Sequence, residues 1–185
     1  MACLLSNLET LCAQYGAVVA AYVGNISQVY TTTFDGTDEE VTAMTFGGNL
    51  IQAVPEGTEG TTALLDTYDN SDITAAPRFN QTITLQFLGA DNETRLAVKQ
   101  LTECCERLFV IVEFANGDRR LIGVAPNPNA ANGLRASVVP LRVGLPNGVN
   151  YGTANGSGVV TEIVLSCTMA DQAFYLAAGI VLPVA

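Results

Sequence analysis

The stretch RLFVIVEFANGDRRLIGVA (residues 107–125) decides the fold of this chain. Residues 108–114 are apolar at nearly every position, which is typical of a strand covered on both faces. The ANGD that follows favours a tight turn, because Asn116 and Gly117 tolerate a positive φ. Apolar residues then resume in 119–124. The stretch therefore predicts an antiparallel hairpin whose first strand is buried on both sides.

Upstream of it, RFNQTITLQFLG (residues 78–89) alternates between apolar and polar side chains. One face carries Ile83, Leu85 and Phe87, and the other carries Thr82, Thr84 and Gln86. A period of two residues is typical of a strand with one buried face. We therefore expect a half-buried strand before the hairpin.

The segment between these strands, residues 90–108, changes to helical spacing. Asp91 or Asn92 is suited to cap a helix N-terminus, and Glu93 falls in the first turn. Apolar or small side chains follow at positions 97, 101, 104 and 108. This segment is predicted to be the one clear helix of the chain.

Strand signals dominate elsewhere. β-Branched and aromatic residues favour strands at 22–34, 41–46 and 159–169, and residues 47–62 are predicted to be a strand that enters a glycine-rich loop. Residues 135–144 predict a broken strand, because Pro140 cannot donate to a ladder and belongs at an edge or a bulge. Loops are expected at 125–134 and 145–158. Without a repeat or a linker, residues 1–185 are predicted to form one mainly β domain.

The charge of the chain is strongly uneven. The formal net charge is -10, and residues 34–72 hold nine carboxylates, while no Lys, Arg or His precedes Arg78. From Arg78 onward, eight basic residues meet eight acidic ones, so the N-terminal part carries the whole excess. Such a chain repels a nucleic-acid backbone rather than binding it.

Hydropathy, the N-terminal residues and the cysteines together indicate the compartment in which the protein is made. Hydrophobic residues make up 49% of the chain and the mean hydropathy is +0.30, yet no stretch is long enough to span a bilayer. The first residues lack the positive region of a secretion signal and include Glu9. The five cysteines are odd in number and form no CxxC, so we expect reduced thiols in a protein made in the cytosol.

The sequence offers little for catalysis. With no His, Ser-His-Asp and Cys-His nucleophiles are excluded, and no phosphate-binding glycine motif is present. DTYDNSD (residues 66–72) lacks the glycine and distal Glu of a calcium loop, and the absence of Trp disfavours a glycosidase. Arg119 and Arg120 read as the polar end of the hairpin, or as partners for a neighbouring subunit's acidic loop. These residues favour neither a metal site nor a catalytic site, although paired carboxylates leave a hydrolase open.

The order of these segments resembles the tail-tube-like virion proteins of tailed bacteriophages, notably those infecting Bacteroidetes. The resemblance rests on NQTITLQFLGAD, the helix NETRLAVKQLTECCERL, the strand LFVIVEF, the turn NGD, RRLIGV, and then NGL at 132–134. YVGNISQVYTTTF and the closing VVTEIVLSCTMADQAFYL are similar to the family's first and last strands. It covers roughly residues 22–175; the two termini lie outside it.

This resemblance implies an antiparallel β-sandwich or barrel flanked by one α-helix. It further implies a structural, non-enzymatic protein of the virion tail, assembled in the host bacterial cytoplasm without a cofactor. Six copies would close a ring, and stacked rings would form a tube for DNA ejection. The expected partners are the protein itself, other tail or neck proteins, and genomic DNA that passes without specific binding; no membrane is expected.

The resemblance gives the acidic residues and the apolar terminus a purpose. A wall of carboxylates would repel DNA and keep it moving along the axis. The candidate lumen-facing acids are Asp35, Asp38, Glu39, Glu40, Glu56 and Glu59. The uncharged C-terminal end would be a loose, apolar segment in a monomer and would dock on a neighbouring subunit. The candidate inter-subunit contacts are Phe174, Tyr175, Ile180 and Leu182.

Other readings stay open at this point. The acidic loops would also keep an apolar protein soluble before assembly. A neck, tail-terminator or head-decoration ring protein would share the same small β-rich fold. A β-barrel module that binds a lipid or a glycan, and a hydrolase with an acidic site, belong to different functional classes.

Overall fold

The computed structural model describes residues 18–36, 40–53, 63–69, 78–88, 96, 107–136, 139–143, 149–155 and 158–184. Most of them lie in strands, which confirms the mainly β prediction. The strands are β1 Val18–Asn25, β2 Val29–Asp35, β3 Glu40–Phe46, β4 Ile51–Ala53, β5 Ala63–Asp69, β6 Arg78–Leu88, β7 Leu108–Phe114, β8 Arg119–Ile122, β9 Val124–Pro126, β10 Leu134–Ala136, β11 Val139–Val143, β12 Val149–Asn155, β13 Gly158–Met169 and β14 Phe174–Leu176. The predicted helical segment, residues 90–108, lies outside the described residues except for Leu96, which is helical, and residues 107–108, where Leu108 already begins β7.

Twelve of the strands form one curled, mixed sheet. Its order is β2-β3-β14-β8-β7-β11-β13-β6-β5, with β1 on β7, β4 on β1, and β12 on β13. The pairings are antiparallel except that between β14 and β3, which is parallel. The remaining strands, β9 and β10, form a separate hairpin. The sheet is therefore continuous from the β2–β3 hairpin to β5.

β7 is the central strand, and it is buried on both faces as the apolar run predicted. Its alternate side chains feed two core clusters. Leu108, Val110 and Val112 pack with residues of β6 and β13, among them Ile83, Ile163 and Leu165. Phe109 and Ile111 pack on the other face with residues of β3 and the C-terminal segment. The predicted inward face of β6 is confirmed at Ile83, which is fully buried.

The first predicted strand, residues 22–34, is wrong in one respect, because it is two strands. A 3₁₀ turn, Ile26–Gln28, separates β1 from β2. The side chain of Asn25 accepts from the Ser27 amide, and the side chain of Gln28 accepts from the Asn25 amide. These side-chain bonds replace ladder bonds and close the turn. The propensity of the surrounding residues hides such a local break.

The predicted hairpin between β7 and β8 is confirmed. Gly117 has a φ of 87°, and the Phe114 amide donates to the Asp118 carbonyl over 2.9 Å. The return strand stops at Ile122, because Gly123 also takes a positive φ of 85° and the chain turns into β9. This stop lets β11 pair with β7 at Leu108 and continue the sheet.

Two predicted loops contain strands. Residues 125–134 enter the β9–β10 hairpin, whose turn is closed by Asn127, Gly133 and the side chain of Asn132. Residues 149–155 form β12 on the edge of β13. Short strands between Asn-Gly steps leave too few residues for a period to show. The break at Pro140 is confirmed, since the register of β11 on β13 shifts between Val139 and Arg142.

Candidate functional site

The C-terminal segment, residues 173–184, is called the strap. It lies along the part of the sheet that contains β3 and β8. Its β14 part inserts between those strands, where Tyr175 lies opposite both Glu40 and Arg120. Further along, the Leu50 amide donates to the Pro183 carbonyl over 2.8 Å, and Leu50 forms a parallel bridge with Val184. The strap is thus held at both of its ends.

Two arginines of β8 hold the strap through its main chain. Arg120 Nη1 donates to the Ala173 carbonyl over 3.0 Å, and its guanidinium lies 3.4 Å from the centre of the Tyr175 ring. Arg119 Nη1 donates to the Ile180 carbonyl over 2.9 Å. Both side chains expected at the polar end of the hairpin therefore bind a segment of their own chain. Planar guanidinium groups suit this combination of stacking and donation.

A carboxylate and a phenol complete this network. Glu113 Oε2 lies 3.5 Å from Arg119 Nε and accepts a 3.0 Å hydrogen bond from the Tyr22 hydroxyl. Desolvation by burial raises the pKa of Tyr22 above its ordinary value, and the neighbouring Glu113 carboxylate raises this pKa further. Tyr22 in β1 is thereby linked across β7 to the strap.

Of the four predicted inter-subunit contacts, two are buried within the chain itself. Phe174 packs edge-to-face on Phe34, with ring centres 5.2 Å apart, and Ile180 belongs to the same core cluster. The expectation of a loose segment fails, because the strap has core positions of its own to fill. Tyr175 is exposed, and Leu182 is partly buried against that cluster.

The most exposed apolar side chain of the strap was not singled out from the sequence. Val181 is 82% exposed, and Val184 is also exposed. The uncharged run at the C-terminus includes both, but composition alone does not tell which of its residues turn inward. That choice depends on where β3 and β8 offer partners to the strap.

A groove separates the middle of the strap from β3. The Ala177 amide donates to the Val41 carbonyl, after which the strap turns away, with the Ile180 amide donating to the Ala177 carbonyl. The space left is about 550 Å³. It is lined by Thr42, Ala43, Met44, Thr45, Phe46, Gly179, Ile180, Val181 and Pro183. None of these described lining residues carries a charge.

The structure describes two of the six candidate lumen acids. Asp35 and Glu40 lie directly opposite each other at the end of the β2–β3 hairpin where the two strands are connected, and both are partly buried. Asp38 and Glu39 belong to the connection between these strands, and with Glu56 and Glu59 they lie outside the described residues. The structure therefore brings Asp35 and Glu40 together and does not address the other four.

Sequence reasoning missed a buried polar residue, Gln81, on the apolar face of β6. Its Oε1 accepts from the Gly123 amide over 3.3 Å, and its Nε2 donates to the Asp171 carbonyl over 3.3 Å. Directly opposite on β13, the Cys167 thiol lies 3.7 Å from Oε1. Gln81 thus satisfies the backbone where the chain turns out of β8 and where it leaves β13. The alternation of residues 78–89 contained this signal, since Gln81 shares the phase of Ile83.

Within the described ranges, no group of three or more His, Cys, Asp or Glu residues could hold a metal ion. A search of the same residues finds no helix with the length and apolar character needed to cross a membrane. The described residues instead form two features: arginine side chains that bind main-chain carbonyl groups of the strap, and a groove whose described lining residues are uncharged.

Comparison of the chain with protein-family models, with curated proteins and with solved structures finds no match in any of the three.

Proposed function

We propose that the protein is a structural virion protein that assembles into stacked homo-oligomeric rings, most simply hexameric, forming a phage tail tube. The observation that carries the proposal is the meeting of Asp35 and Glu40 at one hairpin end. In the sequence this end continues into Asp38 and Glu39, within a half-chain that has no basic residue. A concentrated acidic tip on a sheet is suited to line a conduit for another polyanion.

The physics of such a conduit favours acids over bases. Double-stranded DNA carries about one negative charge per 1.7 Å of axis, so basic walls would hold it at many points. Carboxylates repel it at close approach, within a screening length of about 8 Å at physiological salt. The lumen therefore needs no specific contact with the DNA.

The sheet itself supports assembly. Among the described residues, β2 pairs with β3 alone and β5 with β6 alone, so the sheet ends in edge strands. The strap adds exposed apolar side chains at Tyr175, Val181 and Val184. Open edges and exposed apolar groups are features that subunit contacts cover. Other tail or neck proteins would meet the same surfaces at the ends of a stack.

Electron microscopy of negatively stained protein across a concentration series, with mass photometry alongside, tests this proposal. Hollow rings or stacks that grow with concentration are the expected result. A protein that stays monomeric at every concentration, with or without DNA, would overturn self-assembly into a tube.

The acidic lumen has its own test. In assembled particles, Glu56→Lys combined with Glu59→Lys should retain duplex DNA, because the substitutions reverse the charge of the wall. The matched control, Glu56→Asp with Glu59→Asp, keeps the charge and should release DNA as the wild type does. Equal DNA retention by both double variants would show that these acids act on solubility alone.

A neck, tail-terminator or head-decoration ring is the alternative within the virion, and it would give single rings rather than growing stacks. A ligand-binding module is the second candidate, favoured by the groove of about 550 Å³ beside β3. It would stay monomeric and take up a small apolar molecule. Mass photometry separates these outcomes from a tube in the same experiment.

A further inference from the structure

The groove beside β3 lies where a further strand could pair with the sheet. β14 covers the strap-side edge of β3 only at Glu40 and Val41. Beyond them, the described residues that pair with β3 all belong to β2. The strap rejoins the sheet only at Leu50. Among the described residues, the strap-side edge of residues 42–46 therefore has no strand partner, over a length of about 17 Å at the rise of a strand.

A β-bulge in β3 lies at the start of this edge. Phe34 lies opposite Val41 and Thr33 opposite Ala43, so β3 has one extra residue, Thr42, at this point. Val41 and Met44 are buried, whereas Thr42, Ala43 and Thr45 are exposed. The groove therefore presents small and hydroxyl-bearing side chains over an apolar floor of Met44 and Ile180. Such a surface suits an uncharged extended segment, which would gain main-chain hydrogen bonds from the edge.

The composition of the chain restricts which of its own segments could fit. Its longest run without a charged residue is 10–34, and only Glu9 separates this run from the start. Residues 18–34 of that run are committed to β1, the 3₁₀ turn and β2. The uncharged runs 41–55, 121–134, 143–161 and 172–185 are for the most part used in strands or in the strap. Residues 1–17, which lie outside the described residues, are a further long stretch of sequence with Glu9 as its one charged side chain.

We propose that the groove between β3 and the strap is a strand-addition site for residues 1–17 of a second copy of this chain. This rests on the proposed assembly and names one contact of it. The neutral groove fits, because two copies of a chain with a net charge of -10 repel each other except where both surfaces lack charge. Each copy gives one segment and accepts another, a head-to-tail contact that can close a ring.

Two full-length variants test separately the inserted segment, residues 1–17, and the groove that accepts it. Ala43→Glu places a charge in the groove, and its matched control is Thr33→Glu, which lies directly opposite on β2 and outside the groove. Leu5→Pro with Ala13→Pro removes main-chain donors from the segment that is given. We expect Ala43→Glu and the proline variant each to raise the concentration needed for assembly at least tenfold, and Thr33→Glu to leave it near the wild-type value.

Mixing the two defective proteins gives the decisive result. The proline variant has an intact groove and Ala43→Glu has an intact segment, so one productive contact remains. The expected product in mass photometry is a one-to-one dimer and nothing larger. Monomers alone in the mixture would overturn exchange between copies, and so would wild-type assembly by Ala43→Glu.

A binding assay keeps this inference separate from the tube proposal. A synthetic peptide of residues 1–17 should bind the proline variant and should bind at least tenfold more weakly when Ala43→Glu is added. Saturable binding without rings would leave the inference standing and remove the tube. Rings that form equally well in the presence of the peptide and in the Ala43→Glu variant would overturn the inference and leave the tube proposal standing.

Discussion

β7 and the strap are both apolar, yet the structure uses them in opposite ways. β7 is paired along its length, by β1 on one side and by β8 and then β11 on the other, and its residues 109–112 are fully buried. The strap is paired only near its two ends and keeps Val181 82% exposed. Apolar composition therefore does not by itself mark the interior. The number of strand partners along a segment decides how much of it is buried.

The largest effect is expected at the centre of β7. Phe109→Ala removes a fully buried ring that stacks on Phe46, with ring centres 6.3 Å apart. The lost burial and the cavity left behind should lower the free energy of unfolding by about 3–5 kcal/mol. Urea denaturation of the purified variant measures it.

Val181→Ala is the matching change in the strap, where the side chain is exposed. We expect it to shift the free energy of unfolding by less than about 0.5 kcal/mol. A loss at Val181 comparable with that at Phe109 would mean that the strap, like β7, is part of the folding core of the monomer.

A second prediction concerns the point where both regions meet. A Cβ on Gly24 would lie 2.4 Å from Phe109 Cζ and 2.6 Å from Leu50 Cδ2, the residue to which the strap returns. Gly24→Ala should therefore cost about 1–3 kcal/mol through overpacking. Gly36→Ala is the control, because nothing lies within 4 Å of its added Cβ.

The double variant Gly24→Ala with Phe109→Leu identifies the cause of that loss. A shorter side chain at 109 removes the contact with the new methyl group, so the two changes together should cost less than their sum. Strict additivity in urea denaturation would place the strain of Gly24→Ala elsewhere than at Phe109.

The sequence predicted β7 well because its signal is local. Seven consecutive positions and an Asn-Gly turn carry the whole prediction, and the strand, its burial and the turn at Gly117 are all confirmed. β12 and the β9–β10 hairpin were predicted as loops, because glycine, asparagine and proline interrupt their short strands. Their pairing depends on neighbours that no local pattern contains, such as β13 for β12.

The candidate site was less predictable for the same reason. Arg119 and Arg120 were recognised as the polar end of a hairpin, but their partners are carbonyl groups of Ala173 and Ile180, more than fifty residues away. Every residue has a main-chain carbonyl group, so the residue type does not show which carbonyl will accept a hydrogen bond. Gln81 is a similar case, since its polar character suggested nothing of the backbone amide and carbonyl that it binds. The tail-tube-like assembly stays a prediction.

The third prediction tests whether the strap opens independently of β7. Arg120→Ala removes the bond to the Ala173 carbonyl and the stack on Tyr175, the latter worth about 0.5–1 kcal/mol at an exposed site. Hydrogen exchange at the Ala177 and Ile180 amides should become severalfold faster, while the β7 amides keep their protection.

Arg135→Ala is the control for that experiment, because Arg135 is exposed and lies on β10, which pairs with β9 and not with the strap. Equal acceleration of exchange in β7 and the strap in Arg120→Ala would show that the two regions open together. The contrast between a central strand and a separately held strap would then fail.

The smallest effect is a pH dependence at the link between β1 and the strap. Burial and the Glu113 carboxylate raise the pKa of Tyr22 above its ordinary value of 10.0, so the folded state holds the phenolic proton more tightly than the unfolded state. The stabilisation is fully present below pH 10.0 and is lost as the pH rises through the folded pKa. The stability difference between wild type and Tyr22→Phe should therefore narrow in urea denaturation above that pH. If the difference between wild type and Tyr22→Phe stays constant instead, the Tyr22 hydroxyl is solvated in the folded protein, and Glu113 is held by Arg119 alone.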